Sequence, residues 1–191
     1  MASNKKNKLP DPSVERSAEF LQWLLNESER SAVILGGALA DEELLALMLK
    51  VMPSPNKAED RLFEPERPLG SFSSRITLAH RIGLIDDDFA RGLNWVRDLR
   101  NHFAHRVEHA KLTDDAYRDR VTNIAGWVKA HHAYADVFEG TKRFNADISD
   151  PHRHWVVCVS AIVMRLRAAR KNAAPLRSTV QARITVKDDE K

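Results

Sequence analysis

Cysteine is almost absent from this chain: Cys158 is the only one in 191 residues. That excludes an internal disulfide and any cysteine-cluster metal site, and it suits a reducing cytoplasm. Long apolar runs are missing too. The uncharged run Ser31 to Ala40 is about half of what a bilayer crossing needs, so no membrane span is expected. The opening Met1-Ala-Ser-Asn-Lys-Lys-Asn-Lys-Leu-Pro-Asp-Pro carries lysines with no apolar stretch behind them, unlike a secretory signal. Also lacking are the alternating β-branched pattern of paired strands, an internal repeat, a nucleotide-binding fingerprint and a serine or cysteine triad. Gly70 stands alone before Ser71, without the Gly-rich run of a phosphate loop.

What is present is helical periodicity. The expected class is all-α: a single multi-helix bundle of six or seven helices over residues 13–172, with a basic, disordered tail over 1–12 and a polar tail over 173–191. A first helix is expected from Ser13 to Leu25, with Phe20, Trp23 and Leu24 on one face and Ser13 as its cap. A second runs from Glu27 to Met52, with Asn26 as cap or hinge. Its first half, Ala32-Val33-Ile34-Leu35-Gly36-Gly37-Ala38-Leu39-Ala40, is apolar on every side, which marks it as a strut buried between neighbours. Gly36 and Gly37 would let another element come close, at a helix-propensity cost of roughly 1 kcal/mol each.

Pro53, Pro55, Pro65 and Pro68 predict a long loop between Met52 and Ser71, pinned by Leu62 and Phe63. Helix three is expected over Ser71 to Gly83, with Phe72, Ile76 and Ala79 inward and Gly83 as its stop. A fourth follows over Asp86 to Ala104. Tyr117, Val121, Ile124 and Val128 form the stripe of a fifth over Asp114 to Ala130, followed by a less regular stretch through Phe138 and Phe144. Asp150-Pro151 predicts a last helix start, capped by Asp150. From there Trp155, Val159, Ile162, Leu166 and Ala169 recur at four-three spacing, for packing on the bundle or on a second copy.

Chemistry concentrates in Arg97-Asp-Leu-Arg-Asn-His-Phe-Ala-His-Arg106. An arginine holds a phosphate or carboxylate in a planar fork, and a histidine moves protons near neutrality. On a helical wheel Phe89, Leu93, Val96, Leu99 and Phe103 define a buried arc, and Arg100 falls inside it. A buried guanidinium needs a partner: Glu27, Glu29, Asp41 or Glu42 from the second helix, a backbone carbonyl, or a bound phosphate. Asn101 and His105 share a face, whereas a straight helix separates Arg100 from His105 by roughly 140°.

Net charge is only +3, and much of it lies in Lys5, Lys6 and Lys8 and in Arg165, Arg167, Arg170 and Lys171. The latter four are candidates for nucleic-acid contact, although solvated helix ends carry such charges as well. The pairs His105/His109 and His152/His154 lack the glutamate-containing zinc motif or a cysteine pair, so surface histidines are expected rather than a metal site. No cofactor is expected. Ser71, Ser73 and Ser74 open a helix and could form an anion site or simply cap it. Cys158, beside an apolar stripe with no obvious base, reads as inert core.

Two family resemblances follow from these residues. Arg100-Asn101-x-x-x-His105 is similar to the signature of HEPN domains, a helical group that includes metal-independent endoribonucleases. That resemblance implies His105 as general base on a ribose 2′-hydroxyl, Arg100 as stabiliser of the charged phosphorane, and Asn101 as the residue orienting them. A longer set of blocks comprises Glu27-Ser-Glu-Arg30, Gly36-Gly-Ala-Leu-Ala-Asp41-Glu-Glu-Leu44-Leu, Leu62-Phe63, Leu69-Gly-Ser-Phe72-Ser-Ser-Arg75-Ile76, Ala79, Gly83-Leu-Ile85 and Arg97-x-x-Arg100-Asn-x-Phe103-Ala-His105. In this order, across residues 27–130, they resemble the mannitol operon repressor (MltR) family. The family implies an all-α bundle with no helix-turn-helix, in the cytoplasm. It implies transcriptional repression through protein partners rather than direct DNA contact, and a homodimer is expected. Glu29, Arg30, Asp41, Arg75, Arg97 and Arg100 are then expected as structural or interaction residues, and an enzymatic role takes second place.

Overall fold

The computed structural model describes residues 12–53, 61–105, 110–129 and 134–176. The lysines of the opening segment, His109 and residues 177–191 of the expected polar tail lie outside the described residues. Among the described residues the chain is all-helical. The helices are α1 (Pro12–Asn26), α2 (Glu29–Val51), α3 (Phe72–Arg81), α4 (Asp87–His105), α5 (Asp115–Lys129), α6 (Tyr134–Thr141) and α7 (Asp150–Asn172).

α2 is the strut. It packs along α7 on one side and α4 on the other, with α1 and α3 at its flanks, while α5 and α6 lean on α7. Its buried residues, among them Ala32, Val33, Gly36, Gly37, Ala40, Leu44, Leu47 and Met48, face more than one direction, as an apolar helix surrounded by partners must. The two glycines are what permit this. A Cβ on Gly36 would lie 3.0 Å from Val159 Cγ1 of α7, and one on Gly37 would lie 2.7 Å from Arg100 Cβ of α4. Trp155 closes the α7 side, its indole N–H donating to the Ala32 carbonyl at 3.1 Å inside the core.

Helix boundaries follow local chemistry, with several shifts from expectation. α2 is capped by Ser28, whose Oγ accepts from Ser31 N at 3.1 Å, and not by Asn26. Ser149, not Asp150, caps α7, leaving Asp150-Pro151 inside the first turn, where proline has no N–H to lose. Gly83 adopts φ +71° and ends α3: Leu84 N donates to Ala79 O at 2.8 Å and Gly83 N to His80 O at 3.0 Å, the pairing that closes a helix on a left-handed residue.

The stretch expected to be irregular contains α6. Trp23 is 43% exposed, while Leu24 and Leu25 carry the burial of α1. Ala169 is exposed, so the stripe of α7 ends at Leu166. Residues just beyond α7 stay on the body, where Leu176 N donates to Val51 O at 2.7 Å. Leu62 and Phe63 do pack against the core. No helix among the described residues is long and apolar enough to cross a membrane.

Candidate functional site

The segment before α3 is folded tightly. Leu69 N donates to Leu62 O at 3.1 Å and Gly70 N to Arg67 O at 2.9 Å, closing a compact loop. A Cβ on Gly70 would sit 2.3 Å from the Glu64 carbonyl oxygen, so only glycine fits where the loop meets the helix. Ser71 then caps α3, its Oγ accepting from Ser74 N at 3.0 Å. This places the first turn of α3 against α4 and opens a cleft of about 500 Å³ between them, with Asp41 of α2 contributing to its lining.

Three arginines line this cleft together with Asp41 and Asp98. Arg75 is almost enclosed, and its Nη2 lies 2.8 and 2.9 Å from the two Asp41 oxygens; only the Oδ2 contact has hydrogen-bond geometry. Arg97 spends Nε and Nη2 on Asp98 and donates from Nη1 to Ser73 Oγ at 2.8 Å. Arg100 is less committed. Its Nη1 donates to Asn101 Oδ1 at 2.8 Å, and its Nη2 stays 3.9 Å from Asp41 Oδ2, with 30% of the side chain exposed. The Nε groups of Arg75 and Arg100 are buried without an acceptor. Burial raises the Asp41 carboxyl above the ordinary carboxylate range, an effect that Arg75 first, and Arg100 to a lesser degree, oppose.

Of the sequence-predicted residues, the cleft therefore gathers Asp41, Arg75, Arg97, Arg100 and Asn101. Asp41 is the one carboxylate from the expected set near Arg100, at arm's length because Arg75 holds it first. Arg100 lies at the edge of the buried arc rather than in it. His105, exposed at the last position of α4, does not line the cleft. Glu29 accepts from Leu112 N at 2.6 Å and from Ser149 Oγ at 3.4 Å, joining α2 to two connections. Arg30 donates to Ala104 O at 3.4 Å at the end of α4. Both serve the framework.

The late basic residues do not form a free patch. Arg167 Nε and Arg170 Nη1 converge on Glu43, at 2.7 and 3.2 Å, and the Arg167 guanidinium lies over the Phe20 ring. Arg165 and Lys171 are exposed. Glu43, 8% exposed, was not among the carboxylates expected to matter, and its place beside Leu44 and Leu47 on α2 is the signal that could have found it.

His152 is not a surface residue, and His154 is only partly exposed. His152 is 3% exposed, and burial, with Arg153 next to it, lowers its pKa below the ordinary histidine value while the Leu24 carbonyl pulls the other way. It continues the α7 stripe one turn toward the N-terminus, three residues before Trp155, which is the signal the spacing contained. His154 stacks on Phe138 with ring centroids 4.3 Å apart, and its Nδ1 is bonded to the Tyr134 hydroxyl. Cys158 is fully buried. No group of three or more His, Cys, Asp or Glu among the described residues is placed to hold a metal ion.

The fold and the cleft define an all-helical bundle with an arginine-lined pocket between the start of one helix and the flank of another. Comparison with family models, with curated proteins and with solved structures finds no match.

Proposed function

We propose that this chain is a transcriptional regulator of the mannitol operon repressor type, a cytoplasmic homodimer that acts through protein contact and not through a helix-turn-helix. The observation that supports this is convergence. The blocks on which the resemblance rests are far apart in sequence, yet Gly37, Asp41, Ser73, Arg75, Arg97 and Arg100 meet around one cleft. Such interdependence explains why those residue types occur together, because each constrains the position of the next.

Two features favour protein contact over the other readings. Arg167 and Arg170 are occupied by Glu43, which removes two of four cations from a nucleic-acid surface. Within one chain His105 stands outside the cleft that holds Arg100, so an endoribonuclease would need a second copy to complete its site.

The test is transcript profiling of the native host with the gene deleted, then restored as wild type or as Arg97→Ala. A small set of transcripts should rise on deletion and fall with wild type alone, and the tagged protein should retain a transcription-associated partner. An unchanged transcript profile with no retained partner would overturn the proposal. Metal-independent RNA cleavage lost in His105→Ala would establish the nuclease instead.

A further inference from the structure

The cleft that supports the regulatory reading has a charge and donor pattern of its own. Its lining holds three arginines against two aspartates, leaving one cation in excess. The surplus falls on α4, where Arg97 and Arg100 stand one turn apart on the same face. Each has part of its fork on a neutral oxygen: Ser73 Oγ for Arg97 Nη1, and Asn101 Oδ1 for Arg100 Nη1. Neutral acceptors are weaker partners for guanidinium than an anion would be. A second observation points the same way. Arg100 Nη2 comes no closer than 3.9 Å to Asp41 Oδ2 and its Nε is buried without an acceptor, so this guanidinium keeps unspent donors, which are costly to leave unpaired.

Across from these arginines lies the first turn of α3. The N–H groups of Phe72 and Ser73 are the first two of that helix and have no intrahelical partner, and Ser73 adds a hydroxyl. The donors thus approach from two helices and not in one plane. A carboxylate offers two coplanar oxygens, whereas a phosphate monoester offers three, arranged in space and more negative. The volume, about 500 Å³, accommodates a small organic body besides the phosphate.

We infer that this cleft binds a small phosphate monoester, with Arg97, Arg100, Ser73 and the start of α3 holding the phosphoryl oxygens. Its purpose as an effector site rests on the regulatory reading; the binding does not. Asp41 and Arg75 form the floor, a closed pair that positions Arg100 without touching the ligand.

Calorimetric titration of the full chain with sn-glycerol 3-phosphate tests the inference, with glycerate as the carboxylate counterpart. The phosphate ester should bind, glycerate should bind at least about tenfold more weakly, and Arg97→Gln and Arg100→Gln should each lose about tenfold or more, the effect of one charge-assisted hydrogen bond. Ser73→Ala, at an exposed position, should lose severalfold. No binding of the ester by folded wild-type protein, equal binding of glycerate, or unchanged binding in Ser73→Ala and both arginine variants would overturn the inference. Transcripts unaffected by Arg100→Gln, where the ester binds wild type alone, would count against the regulatory reading and leave the site standing. Absence of binding beside intact regulation would do the opposite.

Discussion

Two corners of this bundle each hold arginine, and they use it differently. At the junction of α6 and α7, Arg153 is 2% exposed and spends both terminal nitrogens on the framework: Nη1 on Thr141 Oγ1 at 3.2 Å, Nη2 on the carbonyls of Asn145 and Ile148 at 2.9 and 3.4 Å, while its Nε, like that of Arg100, has no acceptor. At the junction of α2, α3 and α4, Arg100 is 30% exposed, its nearest carboxylate already taken by Arg75. The first arginine substitutes for hydrogen bonds the loop cannot make to itself. The second is held in place and left with capacity. Burial alone therefore does not separate structural from functional arginine; what separates them is whether both terminal nitrogens are spent, as in Arg153, or only one, as in Arg100.

The largest expected effect tests the first corner. Arg153→Gln shortens the reach to two half-buried carbonyls and a buried hydroxyl, and at about 1 kcal/mol for each group that loses its partner the loss is about 3 kcal/mol. Urea unfolding reads it directly, and a loss below about 1 kcal/mol would mean that the loop satisfies itself.

The adjacent glycines sharpen the contrast between the faces of α2. Gly37→Ala places a methyl 2.7 and 2.8 Å from Arg100 Cβ and Cγ, atoms close to backbone that cannot swing away. Overpacking of about 2–3 kcal/mol, less about 1 kcal/mol of helix propensity, leaves a net loss of about 1–2 kcal/mol. Gly36→Ala meets the Val159 methyls at 3.0 and 3.2 Å and the Trp155 indole nitrogen at an ordinary 3.5 Å, and the two terms should nearly cancel. Thermal melts of the pair that ranked Gly36→Ala as the more harmful would contradict this geometry.

His152 supplies a smaller, pH-dependent effect at the Arg153 corner. Its folded pKa lies below the unfolded value of about 6.5, so the folded state favours neutral imidazole. The contribution is present in full above that value and is lost as the pH falls through it toward the folded pKa. Unfolding free energy should therefore decline from neutral pH toward mildly acid pH, less so in His152→Gln. Parallel curves for the two proteins would remove His152 from the account.

Much of this architecture was legible because apolar residues at three-four spacing report burial directly. The inward residues of α3 and the stripe of α5 follow that rule, and Gly36-Gly37 inside an apolar run marked close approach. Cap positions were less legible. Ser28 and Ser149 compete with Asn26 and Asp150 for the same role, and only backbone geometry decides between neighbours. α6 was missed because eight residues ending in Gly-Thr carry too few turns for a period to show. Arg153 left no trace, since its partners are carbonyls, which every residue has. In the cleft, Asp41, Arg75, Arg97 and Arg100 could be named from sequence. Their division of labour could not, because Arg75 reaching Asp41 before Arg100 does is a matter of distance.

A small expected stability change carries the most weight. Arg100→Gln keeps the stem that packs on Gly37 and removes only the fork, so urea unfolding should place it within about 1 kcal/mol of wild type, well above Arg153→Gln. A loss as large as that of Arg153→Gln would show that the Arg100 fork is spent on the framework, and the distinction between the two corners would fail.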